Sequence, residues 1–168
     1  TVVPQLRGGR PSGWAGRVQE LLRHANEQGS VSMNVSLGGL NVFQSARDAV
    51  TFSVSSAGLP EIRAYEDPVE KLAIRSLLEQ DYCNLHRQAV ADRTLGGVEN
   101  IETFSAALEG VSLSTLFPAT PTGDNLRMIA NIIAARGPLG MDRQIFYVVR
   151  GGWHHHAEVL ESQDGLFE

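Results

Sequence analysis

The stretch FPATPTGDNLRMIANIIAARGPLGMDRQIFYVVRGG, residues 117–152, decides the fold. Leu126, Ile129, Ile132 and Ile133 recur at helical spacing, so its first half reads as an amphipathic helix. Thr122 or Asp124 can cap that helix, and Gly137-Pro138 ends it. Ile145, Phe146, Tyr147, Val148 and Val149 are continuously apolar, the pattern of a strand buried on both faces. Gly151-Gly152 then turn the chain towards a further helix. Helix, short loop, buried strand and helix is the grammar of an α/β layer.

The residues before this stretch supply the other layers. In PSGWAGRVQELLRHANEQG (11–29), Val18, Leu21, Leu22 and Ala25 fall on one helical face, with Ser12 placed as N-cap and Gly29 as C-cap. From Val31 the period changes to two: Val31, Met33, Val35 and Leu37 alternate with Ser32, Asn34 and Ser36. Gly38-Gly39 between that run and LNVFQ predicts an antiparallel hairpin of half-buried strands. Val50, Phe52 and Val54 predict another strand. Asn34-Val35-Ser36 matches a glycosylation sequon, which inside a strand is read as chance. A long helix is expected from Pro68 through Leu95, with Val69, Leu72, Leu77, Leu78, Tyr82, Leu85 and Ala89 on its apolar face. A second is expected over about 98–109.

Composition bounds the function. The 168 residues are 42% hydrophobic and 20% charged, as in an ordinary globular domain. A net charge of -5 argues against a nucleic-acid partner. The single cysteine, Cys83, excludes an internal disulfide and a CxxC pair, and is read as a small core residue of the long helix. No apolar run approaches the roughly 20 residues that span a bilayer. The start at Thr1 and the final SQDGLFE lead us to expect an internal fragment of a longer protein, one incomplete α/β domain over residues 1–168.

Chemistry concentrates in GGWHHHAEV, residues 151–159. Ligands of open α/β sheets gather beyond the carboxyl ends of parallel strands, and this segment follows such a strand. Neutral imidazole is a common ligand of zinc and other transition metals. If the backbone stays extended, His154 and His156 share one side and His155 takes the other. If a helix starts near His154, then His154, Glu158 and Glu161 share a face. Either geometry offers two or three donors, whereas a closed site generally needs four. From spacing alone, imidazoles on a loop that bind nothing, or that pair with Glu158 or Glu161, are the more frequent outcome. A strand–GG–helix junction can also hold an anion. Neither GxxxxGKS/T nor GxGxxG occurs, so nucleotide binding has no motif support.

Residues 117–163 resemble the domain-of-unknown-function 1501 family, exported bacterial proteins often labelled sulfatase-like. Its members carry Phe-Pro, a helix ending in IAAR, then RQIFFV and GGFDxH or GGWDxH, and a helix with LxxQ. The match here runs through Phe117, Pro118, the helix to Arg136, the strand from Arg143 to Val149, and Gly151-Gly152-Trp153. PSGWAGRV (11–18) and VSMNVSLGGLNVFQ (31–44) also look like the family's central region. The resemblance implies a partial alkaline-phosphatase/sulfatase-like α/β fold and metal-assisted ester hydrolysis. It also implies a twin-arginine export signal, hence a periplasmic or secreted protein. His156 retains the motif's final histidine, but His154 stands where the family has aspartate. A neutral ligand there favours zinc over magnesium or calcium.

The expected function is therefore metal-dependent hydrolysis of phosphate or sulfate esters, with a small molecule or glycan ester as substrate. His154 and His156 would be metal ligands, Glu158 a ligand or its hydrogen-bonding partner, and Gly151, Gly152 and Trp153 the loop that shapes the site. No nucleophile is assigned, since no GxSxG occurs. The alternative is a non-catalytic exported binding or structural protein that keeps the fold.

Overall fold

The computed structural model describes residues 12–26, 31–47, 51–60, 62, 67–154 and 157–167. Helix α1 (Trp14–Leu22) runs into a 3₁₀ turn at Arg23–Asn26 and is followed by strands β1 (Asn34–Ser36) and β2 (Phe52–Ser53). Helices α2 (Pro68–Leu78), α3 (Leu85–Leu108) and α4 (Pro121–Ala134) come next, then β3 (Ile145–Tyr147) and α5 (Val159–Phe167). The three strands form one parallel sheet in the order β2-β1-β3, with Val35 opposite both Phe52 and Phe146. The architecture is mixed helix and sheet of the α/β kind. No helix among the described residues is long and apolar enough to cross a membrane.

The antiparallel hairpin is not formed. Residues 41–44 close a turn instead of pairing as a strand. Asn41 causes this: its side-chain Oδ1 accepts from the Gln44 backbone N–H at 2.8 Å, and its backbone carbonyl accepts from Ser45 Oγ at 3.0 Å. Both edges of β1 are then taken by β2 and β3, each parallel to it. Residues 37–51 have the dozen or so positions that a parallel crossover needs, which a two-residue turn lacks.

The alternation along β1 survives with a different meaning. Val31, Met33 and Val35 join Phe52, Val54, Phe104, Ala107, Ile132, Ala135, Leu139 and Met141 in the core. Phe52 and Phe104 stack with ring centroids 4.4 Å apart. Asn34 and Ser36, in the alternate positions, are also fully buried. Helix α1 packs against β1, and its Gln19 Oε1 accepts from Asn34 Nδ2 at 2.7 Å. The central strand is thus buried on both faces. β3, expected to be the doubly buried strand, is an edge strand with half-buried residues and an exposed Val149.

Helix boundaries also shift. Asn84 breaks the expected long helix, its Oδ1 accepting from the N–H groups of His86 and Arg87 at 3.0 and 3.1 Å. α3 then continues through the predicted second helix. Cys83 lies in that break and is exposed, not a core residue. Val69, Leu72, Leu77 and Leu85, expected on the buried face, are exposed, and α2 has no buried residue. In α4 the cap is Thr120, with Pro121 in the first turn. Ile132 is buried as expected, while Leu126 and Ile133 are not.

Helix α1 has Gly13, not Ser12, at its N-cap, and no side chain caps it. Loop carbonyls satisfy its first N–H groups instead: Gly13 N–H donates to Ser45 O at 2.8 Å and Ala15 N–H to Phe43 O at 3.0 Å. That approach requires glycine. A Cβ on Gly13 would lie 2.0 Å from Phe43 O, and one on Gly16 would lie 1.9 Å from Ser45 O. The helix therefore buries Ala15, Gly16 and Gln19, while Leu21 and Leu22, on the predicted face, are exposed. Gly29 and Val50 lie outside the described residues.

Candidate functional site

All three strands point the same way, so their carboxyl ends share one edge of the sheet. From β1 the chain moves to β2 on one side and later returns to β3 on the other. The order reverses at β1, and the loops leaving β1 and β3 both lie at the carboxyl edge, the place where α/β sheets generally hold ligands.

The loop after β1 is held rigidly. Ser36 Oγ donates to Gly39 O at 2.5 Å and accepts from Gly38 N–H at 3.2 Å. Asn41 Nδ2 donates to Gln44 Oε1 at 2.9 Å. Gln44, wholly buried, donates through Nε2 to Val35 O at 3.2 Å and Ile145 O at 3.3 Å, joining β1 to β3 beneath the loop. Phe43 sits between Trp14 and Tyr147, with ring centroids 5.6 and 5.8 Å away. Gly38 lies so close to the chain leaving β3 that a Cβ would meet Val149 Cγ2 at 2.9 Å. Ser36 has no exposed surface, and its hydroxyl is engaged with the loop backbone. It is a loop fastener rather than a nucleophile.

The turn after β3 lies at the same edge. Trp153 Nε1 donates to Arg150 O at 2.8 Å, and Gly152 takes a φ of 92° that favours glycine. Gly151, Gly152, Trp153 and His154 are all exposed. α5 begins at Val159, not near His154, so the expected helical face shared by His154, Glu158 and Glu161 does not form. Glu158 has a φ of 54°, outside any helix, and is exposed. His155 and His156 lie outside the described residues, and with them the paired geometry of His154 and His156. Among the described residues no group of three or more His, Cys, Asp or Glu side chains is arranged to hold a metal ion. His154 and Glu158 supply two candidate donors on this turn, short of a closed set.

Sequence reasoning missed three contributors: Gln44, Asn41 and Arg150. Asn41 and Gln44 stand three apart, a turn signature hidden by the reading of 40–44 as a strand. Arg150 closes the apolar run just before the glycines, where a charge is out of pattern. Its Nε is buried and has no hydrogen-bond partner. A separate groove of about 510 Å³ is lined by Leu77, Leu78, Tyr82, His86, Arg87, Val90 and Ala91, apolar apart from its rim. It lacks the convergent polar groups of a catalytic site.

Compared with protein-family models, with curated proteins and with solved structures, the chain matches none.

Proposed function

We propose that the chain is part of an exported, sulfatase-like hydrolase of phosphate or sulfate esters, related to the domain-of-unknown-function 1501 family and built on an alkaline-phosphatase-like α/β fold. One observation carries this reading: the Gly151–His154 turn follows the carboxyl end of β3, the strand beside β1, where the strand order reverses. In this reading His154 and His156 hold a zinc-like divalent ion, with Glu158 as a further ligand or as the partner that orients one of them. Such an ion supplies Lewis acidity towards an ester oxygen. The chain's own part is to fix the loop geometry through Ser36, Asn41 and Gln44 and to hold the substrate against the turn.

The second reading is a non-catalytic exported protein that keeps the fold and binds a partner or glycan. It is favoured by the histidine at 154, where the resembling family has aspartate, and by the engaged hydroxyl of Ser36. Metal content and turnover separate the two. The longer protein of which this chain is read as a part is freed of metal, titrated with zinc and assayed on a panel of phosphate and sulfate esters, beside His154→Ala and His156→Ala. The hydrolase reading expects stoichiometric zinc and measurable turnover, with both reduced at least about tenfold in each variant. No bound metal and no turnover with any common divalent ion would sink it.

A further inference from the structure

We propose that the groove where the end of α2 meets the start of α3 receives helix α5 of a second copy of this chain, the two copies exchanging α5 reciprocally. The proposal is independent of the hydrolase reading, since no residue of the groove or of α5 is assigned to the metal.

Both halves of that contact stand uncovered within one chain. In the groove, Val90 is 65% exposed and Leu77 56%, and Leu78, Tyr82 and Ala91 continue the apolar lining. A contiguous apolar concavity of this kind differs from leucines scattered singly over a surface. On α5, Leu160 is 80% exposed and Val159 45%. The chain's own α5 therefore does not fill its own groove. An amphipathic helix laid into an apolar groove is a recurring mode of recognition. The nine residues of α5 are about 14 Å long, and His86 to Ala91 covers about 7.5 Å of α3, so α5 can lie along the whole lining.

Charge decides the occupant. The polar rim of the groove is His86 and Arg87, which precede Val90 by four and three residues and so share its helical face. The guanidinium is always charged, and the imidazole donates a hydrogen bond in either protonation state. Residues 158–167 carry three carboxylates, Glu158, Glu161 and Asp164, and no lysine or arginine. Glu161 and Asp164 are exposed. Asp164 follows Leu160 by four residues and Glu161 by three, which sets both carboxylates beside the leucine. An apolar anchor flanked by basic groups thus matches an apolar anchor flanked by acids. Leu160 packs against Val90 and Leu77, and Arg87 meets Glu161 or Asp164. Two chains of net charge -5 repel as wholes, so their attraction must come from locally opposite patches such as these. A two-fold pair makes the contact twice, which offsets its small size.

The test is sedimentation velocity, across the micromolar range, on the longer protein of which this chain is read as a part. Three variants accompany it: Arg87→Glu in the groove, Glu161→Lys with Asp164→Lys on α5, and Val90→Asp. The native protein is expected to form dimers. Each charge variant alone should dimerise on the order of tenfold more weakly. An equimolar mixture of the two charge variants should recover dimers. The reversed groove of one then meets the reversed helix of the other, while the remaining groove and helix form the native pair. Val90→Asp places a charge in the apolar contact and should weaken dimers roughly a hundredfold. Far-UV circular dichroism checks that each variant is folded, and Glu161→Lys alone replaces the double substitution if that one is not. The proposal is overturned if the native protein stays monomeric throughout. It is equally overturned if the folded variants dimerise as the native protein does, or if the mixture associates no more tightly than either charge variant alone. Recovery in one chain carrying all three charge reversals, without recovery in the mixture, would mean that α5 fills its own groove and would likewise overturn the exchange.

Discussion

Gly16 and Gly96 are both helical glycines, and the structure gives them opposite roles. A methyl group on Gly16 would sit 1.9 Å from the Ser45 carbonyl oxygen, whereas one on Gly96 would meet nothing within 4 Å. Helix propensity alone favours alanine over glycine by about 0.8–1.0 kcal/mol at either position. Gly96→Ala should therefore raise the urea midpoint. Gly16→Ala should lower stability by about 1–3 kcal/mol, because α1 must move off the loop whose carbonyls cap it. Equal shifts in the two denaturation curves would contradict the close packing of α1 on residues 42–45. The same loop explains why Gln44, a polar residue, is wholly buried: its amide serves carbonyls of two strands and a side chain of its own turn.

Charge contributes to the pairing of α2 with α3. α2 has no buried residue, yet Lys71 Nζ lies 2.6 Å from Glu102 Oε1, and Arg75 Nη1 lies 3.0 Å from Glu102 Oε2. The hydrogen bond from Lys71, assisted by Arg75, holds the Glu102 carboxyl below the usual carboxylate range, although partial burial pulls the other way. A depressed carboxylate stabilises the fold above its unfolded pKa, about 4.3 for glutamate, and that contribution is lost as pH falls through the lower folded value. Loosening of α2 is thus expected in acid, from about pH 4 downwards. In Glu102→Gln the part of the acid-side loss that is due to this pair should be absent. Circular dichroism melts between pH 3 and 7 check it, and identical acid limbs in the two proteins would rule the linkage out. The side chains are about a third exposed, so the effect is small and should shrink further in high salt.

Across the whole molecule, stability is concentrated around β1. All three of its residues are buried and it is paired on both edges. Phe104, Ile132 and Leu139, all nearly or wholly inaccessible, close the core on one face. Local opening should follow that gradient. Native-state hydrogen exchange is expected to be slowest at the β1 amides and at the core-facing turns of α3 and α4, and fastest across α2. Protection of α2 equal to that of β1 would mean that the α2–α3 pair is anchored by more than its ion pairs.

Much of this was written in the chain locally. The period of two placed Val31, Met33 and Val35 on the core face, and the helical spacing before Gly137-Pro138 found α4 and its buried Ile132. The position of the candidate turn was also legible, because glycines after an apolar run mark a strand's carboxyl end. What stayed hidden was the choice of partner. An apolar alternation states which side of a strand is dry, but not whether its neighbour runs parallel or what covers the other side. Asn34 and Ser36 read as solvent-facing until α1 covered the first and the loop after β1 engaged the second, and Val69 and Leu72 read as core until the helices were placed. Likewise, the sequence showed an arginine at position 150, but only its tertiary surroundings left its Nε buried and without a hydrogen-bond partner. Periodicity and turn chemistry are properties of neighbours along the chain and so belong to the sequence. Strand order, burial of polar groups and the balance of charge arise between distant segments, and the tertiary structure alone decides them.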